Sequence, residues 1–293
     1  MKNRILVIGP ITKDHIITPD NEYYQLGGAA YYQTMTLKQL KKDSISIISI
    51  GKNDTDLLNN TLKKQIMILQ EKTHQYTNIY DKDLKRKQKA ELETNEIKIE
   101  ETTIDLSEIK YALISPLSPY DISAHTIEYL KNNNIITILT AQGYLRKTDK
   151  DNNIVEREWT DKEKYLKYTD ILCLDEKEAL KTFNTKKILE EEMKKNLKRY
   201  TLKQIIITRA ENGSIIFTKE KTYKIPAIKT SKIIDATGLG DTYIAAYIAK
   251  LEETENIRES GLFASITAKE KLKRKGPLKT GKKILEEELN KYR

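Results

Sequence analysis

Six short runs of β-branched and aliphatic residues, spaced by stretches of helical character, constrain this 293-residue chain more than any other feature. They occupy residues 4–8, 44–50, 111–114, 135–139, 171–174 and 204–208. Each is far below the roughly 18–20 apolar residues of a bilayer span. A continuous apolar run of this length reads as a strand buried on both faces. The intervening pattern predicts one helix that opens at Gly27-Gly28 and runs to about residue 40. Others are expected over 56–64, 121–132, 176–183 and 186–200, with three more at 240–251, 255–273 and 281–292. Strands alternating with helices imply a mostly parallel central sheet covered on both faces. No repeat or low-complexity linker interrupts residues 1–293, which are read as a single domain.

A second class of segment is polar. Residues 14–18 and 22–25 read as strands around the Pro19-Asp20-Asn21 turn, and 76–80, 85–92 and 96–100 as strands joined by charged turns. Residues 14–26 and 74–101 therefore predict a small exposed β layer, poor in apolar residues. Such a layer stands over something else, either a ligand or a second copy of the chain in a homodimer. An antiparallel pair is expected at 213–218 and 222–225.

The charge balance, 52 Lys and Arg against 43 Asp and Glu, is +9. Lys dominates, and the signs mix along the helices, as in Glu190-Glu191-Glu192 beside Lys194-Lys195. The excess reads as solvated surface rather than as a nucleic-acid or membrane patch. Cys173 is the single cysteine, so no intrachain disulfide forms, and three scattered histidines make no His/Cys zinc cluster. Lys2 and Arg4 precede only four apolar residues before Gly9-Pro10, too few for a signal peptide. A cytoplasmic protein is expected.

The segment that carries chemistry is residues 233–242. An apolar pair, Ile233-Ile234, leads into Gly238-Leu239-Gly240-Asp241 and then a strongly helical run. Glycines let a bulky anion come close to the backbone, and the amides at a helix mouth attract negative charge. An acid inside such a phosphate cradle repels the phosphate unless it has a task, and taking the proton of an attacking hydroxyl is such a task.

Asp235-Ala236-Thr237-Gly238-Leu239-Gly240-Asp241 resembles the C-terminal signature of the ribokinase-like (PfkB) carbohydrate kinases, Asp-Thr-x-Gly-Ala-Gly-Asp, with departures at Ala236 and Leu239. Further segments resemble that family's motifs in the same order. Gly9 and Asp14 follow the first strand, and Gly27-Gly28 follows the next hairpin. The polar β layer is similar to its lid. Asp175-Glu176-Lys177-Glu178 is similar to its Asn-x-x-Glu motif, with Asp for Asn. Residues 208–213 are similar to its Thr-x-Gly-x-x-Gly loop, with Ala210 in place of a Gly. The resemblance covers nearly the whole chain.

The resemblance implies a ribokinase-like three-layer α/β fold with a small β-sheet lid, and transfer of the γ-phosphoryl of ATP to a hydroxyl of a small polyhydroxylated substrate. Asp241 would be the base, and Gly238, Leu239 and Gly240 would supply anion-binding amides. As a carboxylate of reference pKa about 3.9, Asp241 would be ionised but weakly basic. Asp14, Gly27 and Gly28 would bind the substrate. Thr208, Gly213, Thr237, Gly238, Gly240 and Gly276 would line the nucleotide. Asp175 and Glu178 would organise Mg²⁺ through waters, since Mg²⁺ dehydrates reluctantly. Asp175 and Glu178 also have the spacing of a capping box. Asp235 and Thr237 match positions that hold a monovalent cation, such as K⁺, in some members.

Two patterns are decoys. Residues 276–283 nearly spell a P-loop, but Lys283 replaces the required hydroxyl and no strand precedes it. Gly238-Leu239-Gly240 fails as a dinucleotide motif because Tyr243 occupies the third Gly position. The substrate side departs more from the family: Ala29-Ala30-Tyr31-Tyr32-Gln33 stands where an Asn is usual. Tyr31 and Tyr32 are either core or a stacking platform. Gln142, at a strand end facing the crevice, is a further candidate substrate contact. These departures leave a sugar, an inositol or a nucleoside open as substrate. They also leave open a catalytically silent relative that binds nucleotide or sugar as a sensor.

Overall fold

The computed structural model describes residues 3–58, 65–81 and 86–292. The apolar runs become strands of one large sheet. These are β1 (Arg4–Pro10), β4 (Ser44–Gly51), β5 (Gln65–Gln70), β8 (Ile109–Ile114), β9 (Ile136–Thr140), β12 (Ile171–Asp175), β13 (Gln204–Thr208), β14 (Ser214–Phe217) and β15 (Thr222–Ile225). Their order is β15-β14-β13-β12-β9-β8-β1-β4-β5. Pairings from β13 to β5 are parallel, and β14 and β15 close the other edge as an antiparallel hairpin.

Successive residues of a strand point to opposite faces, and each face has its own core. Ile5 and Val7 of β1 pack with α1 (Ala29–Gln39), α6 (Leu239–Thr254), α7 (Ile257–Leu272) and α8 (Lys282–Leu289). Leu6 and Ile8 pack on the opposite side with α2 (Ala124–Asn132), α3 (Lys162–Leu166), α4 (Glu176–Thr182) and α5 (Glu190–Arg199). All four β1 residues are completely buried, which is why the run reads as continuous rather than alternating. The layers are thus helix, sheet, helix. Among the described residues no helix is long and apolar enough to cross a membrane.

The polar segments form a separate four-stranded sheet, β3-β2-β6-β7, from β2 (Thr12–Ile17), β3 (Glu22–Gly27), β6 (His74–Tyr80) and β7 (Arg86–Glu91). Thr12, Asp14 and Ile16 alternate inward along β2, opposite His74, Tyr76 and Asn78 of β6. The buried face of this sheet is therefore mixed: Thr12, Asp14, His74 and Asn78 are polar, while Tyr76 and Ala90 pack against Ala29 and Leu117.

Several boundaries differ from the sequence reading. Residues 52–58 form a 3₁₀ turn rather than the start of an α-helix, and 59–64 lie outside the described residues, as does Lys85 at the start of the expected 85–92 strand. The strand β5 carried no expectation. Residues 96–100 pair with no strand. Ile97 and Ile99 are buried, and Ile97 N–H donates to Asp121 O, so their alternation marks a passage packed into the second core. The lid accordingly ends at Glu91. The helix expected from 186 starts at Glu190, and that expected from Asp121 starts at Ala124 with Ser123 as its cap. A short hairpin, β10 (Arg146–Thr148) with β11 (Ile154–Glu156), was not anticipated.

Candidate active site

A cavity of about 470 Å³ opens at the carboxyl ends of the parallel strands, where open α/β sheets bind ligands. The lid supplies one wall through Thr12, Asp14, Tyr76 and Gln88. Residues 236–241, Gly28 and Tyr32 form the middle. The far end is made by Thr208, Ala210 and Gly213, with an apolar slot of Ala227, Ile228, Ala268 and Leu272.

The middle is a helix mouth whose geometry suits an anion. Gly238 caps α6 with φ 67°, in the left-handed region, and a Cβ there would sit 2.2–2.4 Å from ring atoms of Tyr32. Both constraints demand glycine. Thr237 N–H donates to Asp235 Oδ1 at 2.8 Å and Leu239 N–H to Ala236 O at 3.2 Å. The amides of Gly238, Gly240 and Asp241 have no acceptor among the described residues. Two of the three expected amides are thus free, Leu239 is engaged, and Asp241 adds its own. Unpaired N–H groups at a helix start point their dipoles at an incoming anion.

Asp241 sits in the first turn of α6 and lines the cavity. Burial pushes its carboxyl up to about 6, opposed by the positive charge of Arg146. The environment therefore makes it a stronger base than the reference value suggests, while ionisation near neutral pH is kept. Arg146, at the start of β10, lines the same cavity and has no ion-pair partner among the described residues.

Asp14 lies on the lid strand β2, is 5% exposed, and accepts a hydrogen bond from Thr12 Oγ1 at 2.7 Å. A Cβ at Gly27 would fall 2.2 Å from Asp14 Oδ2. Gly27 does not itself line the cavity; it makes room for the carboxylate, and Gly28 reaches the cavity. Gln142 lines it too, in the turn after β9. Asp121, expected as a helix start, instead folds back. It accepts from Leu117 N–H (2.7 Å), Ser118 N–H (2.8 Å), Ser118 Oγ (2.6 Å) and His74 Nε2 (2.9 Å). Glu93 N–H donates to His74 Nδ1 at 2.9 Å, which leaves the proton on Nε2. This buried network fixes Pro116 and Leu117 in the cavity wall.

At the other end, Asp175 and Glu178 form a capping box: Glu178 N–H donates to Asp175 Oδ1 at 2.8 Å and Asp175 N–H to Glu178 Oε2 at 2.9 Å. Burial, and then the neighbouring Asp175 charge, push Glu178 up to about 7. Two crowded carboxylates on the cavity edge, each with one oxygen outside the capping box, suit a divalent cation, which would relieve their repulsion. Among the described residues no group of three or more acidic, His or Cys side chains is arranged to hold a metal ion. Thr208 and Gly213 line the cavity, and Ala210 takes φ 46° where a glycine is usual. Gly276 lies outside the lining, and its N–H donates to Asp235 Oδ2 at 3.1 Å. The expected P-loop decoy is the α7–α8 connection, with Gly281 capping α8.

At Asp235, expected with Thr237 at a monovalent cation, a lysine ammonium is in contact. Lys271 Nζ, on a fully buried side chain, lies 2.8 Å from Asp235 O and 2.9 Å from Asp235 Oδ2. The ammonium and the Thr237 amide hold Asp235 below the usual carboxylate range against its burial.

Three contributions escaped the sequence. Arg146 sits in a hairpin whose signal, the turn-forming stretch Asp149 to Asn153 between two short strand-like runs, is weak. Lys271 looks like any of the many lysines of a charged helix end. Thr12, Tyr76 and Gln88 converge only through the lid register.

The sequence profile of the pfkB family of carbohydrate kinases matches residues 4–282. A nucleoside kinase of Methanocaldococcus jannaschii is 37% identical over 92 residues, 30% of this chain and 30% of that protein. The matched stretches span about a third or less of such relatives' lengths. Whole-chain similarity comes from solved structures. A pyrophosphate-dependent kinase of the ribokinase family superposes with a TM-score of 0.83 at 23% identity, covering 96% of this chain and 99% of its own. The Arabidopsis thaliana ribokinase solved with ribose and ATP gives 0.80 at 17% identity, covering 99% of each chain. The family's domain thus runs almost end to end through a chain whose fold these kinases share, and the chain belongs to the pfkB family of carbohydrate kinases.

Proposed function

We propose that this chain is a kinase that moves the γ-phosphoryl group of ATP to a hydroxyl of a small polyhydroxylated acceptor: a sugar, an inositol or a nucleoside. The observation that carries the reading is the pairing, on one helix turn, of free amides at Gly238, Gly240 and Asp241 with a carboxylate raised to about 6. The acceptor lies against the lid wall, with Asp14 taking hydrogen bonds from its hydroxyls. Asp241 takes the proton of the attacking hydroxyl as the new O–P bond forms and the bond to ADP breaks. The amides compensate charge on the transferring group, and positioning supplies most of the acceleration. Mg²⁺, held through waters by Asp175 and Glu178, would neutralise the charge of the phosphates. The apolar slot of Ala227, Ile228, Ala268 and Leu272 favours a donor that carries a base over pyrophosphate.

The test is a panel of ribose, fructose, myo-inositol and nucleosides with ATP and Mg²⁺, followed by ADP release and by ³¹P NMR of the product. Phosphorylation of one acceptor class with ADP formation is expected. Turnover with pyrophosphate but not ATP would replace the donor, and no transfer to any acceptor would remove the kinase reading.

A further inference from the structure

We propose that the ammonium group of Lys271 is a built-in monocation beneath the anion-binding loop, so that this chain works without an exchangeable monovalent cation. The inference deepens the kinase reading and rests on it for its catalytic arm. Lys271 is the penultimate residue of α7, and its side chain is fully buried. A buried ammonium is costly unless oxygens surround it. Here the backbone carbonyl and the carboxylate of Asp235 provide them, at 2.8 and 2.9 Å. On another side the ammonium stands 5.6 Å from the centroid of the Tyr32 ring, a cation–π contact. The same ring lies against Gly238. Ammonium, ring and glycine therefore form one column under the free amides.

An exchangeable cation needs several protein oxygens to replace its hydration shell. The carboxylate of Asp235 is engaged further: Oδ1 accepts from Thr237 N–H, and Oδ2, already on the ammonium, also accepts from Gly276 N–H at 3.1 Å. The carbonyl of Leu272, the next residue after Lys271, accepts from Ile234 N–H at 2.8 Å. The end of α7 thus ties down the loop by a backbone bond and by a charge. That charge neutralises Asp235, which would otherwise repel the phosphate bound a few residues away. A tethered cation does this at any salt composition. Lys271 is accordingly a positioning residue for the loop.

The experiment compares wild type and Lys271→Met in potassium, sodium and tetramethylammonium chlorides at equal ionic strength. Two readouts are taken: turnover, and the melting midpoint of the ligand-free protein. Wild type is expected to vary by less than about twofold in turnover, with one midpoint in all three salts. Lys271→Met is expected to lose at least tenfold in tetramethylammonium and to recover part of that loss, with a higher midpoint, in potassium chloride. Potassium activation of wild type by tenfold, or a potassium-specific rise of its midpoint, would overturn the proposal. So would equal activity of Lys271→Met in every salt. If no acceptor is turned over, the kinase reading fails and the melting comparison still judges Lys271. If Lys271→Met does not fold, the wild-type salt series decides.

Discussion

Asp235 and Asp241 are six residues apart at the entry to α6, one before the helix and one in its first turn, and burial opposes the charge of both. Their environments then send them in opposite directions. Asp235 has two amides and the Lys271 ammonium, and its carboxyl stays below the usual range. Asp241 has only the field of Arg146, and its carboxyl rises to about 6. Partnered, the group is held in its charged form; left to a cavity, it is poised to take a proton. The type of residue says little about which role results, and the count of donors says most.

The sharpest way to break this contrast is at Asp241. Asp241→Asn is expected to lower kcat by about 10²–10⁴-fold, the usual range for a general base, with nucleotide binding retained. Turnover and equilibrium ATP binding, measured on the same preparation, would check it; an active variant would strip Asp241 of its role.

The second largest effect is expected at the partnered acid. Asp235→Asn strands the Lys271 ammonium, and removing one member of a buried pair typically costs about 3–5 kcal/mol. Denaturant unfolding would register a lower midpoint. The same experiment on Asp241→Asn should give the opposite sign. The native carboxyl of Asp241 binds its proton more tightly than the unfolded one, so its ionisation destabilises the fold as pH rises from about 4 to about 6. At pH 7 the full penalty is present, and the rise of the carboxyl to about 6 corresponds to at most about 3 kcal/mol. Asparagine removes that penalty, so the variant should be more stable at pH 7 and lose the advantage by pH 4. A melt that falls for both variants would end the contrast.

The smallest expected effect concerns Arg146. The acid limb of kcat/KM should lie near pH 6, where Asp241 protonates in the free enzyme. Arg146→Met withdraws the opposing charge, so the limb should move to higher pH by a fraction of a unit. A limb that moves down, or not at all, would leave Arg146 with a role only in substrate contact.

Legibility in the sequence follows the same division between groups that act alone and groups that act by convergence. The strands and α6 were readable because continuous apolar runs and the Gly-x-Gly-Asp segment state their constraints locally. The positions of Asp14, Gly28, Thr208 and Asp241 around one cavity accord with the motif order. The capping box of Asp175 and Glu178 was readable from spacing alone. The direction of the Asp241 shift was not, because it depends on atoms brought in by distant elements. Lys271 was invisible for a related reason: among so many lysines, only the packing of α7 on the loop picks out the one that is buried. Glu96 to Glu100 misled because alternation records burial on one side and is silent about whether a neighbouring strand exists.

The lid strand β2 begins at Thr12, with only Ile11 separating it from β1. Asp14 is therefore carried by a small sheet that continues from an interior strand of the central sheet, whereas Asp241 is carried by a helix packed on that sheet's face. The two carboxylates thus belong to separately built layers, and a change in the angle between the layers would alter their separation without disturbing the core under α6. Ile11, the single residue joining β1 to β2, is then the joint through which the spacing of the two cavity walls is set.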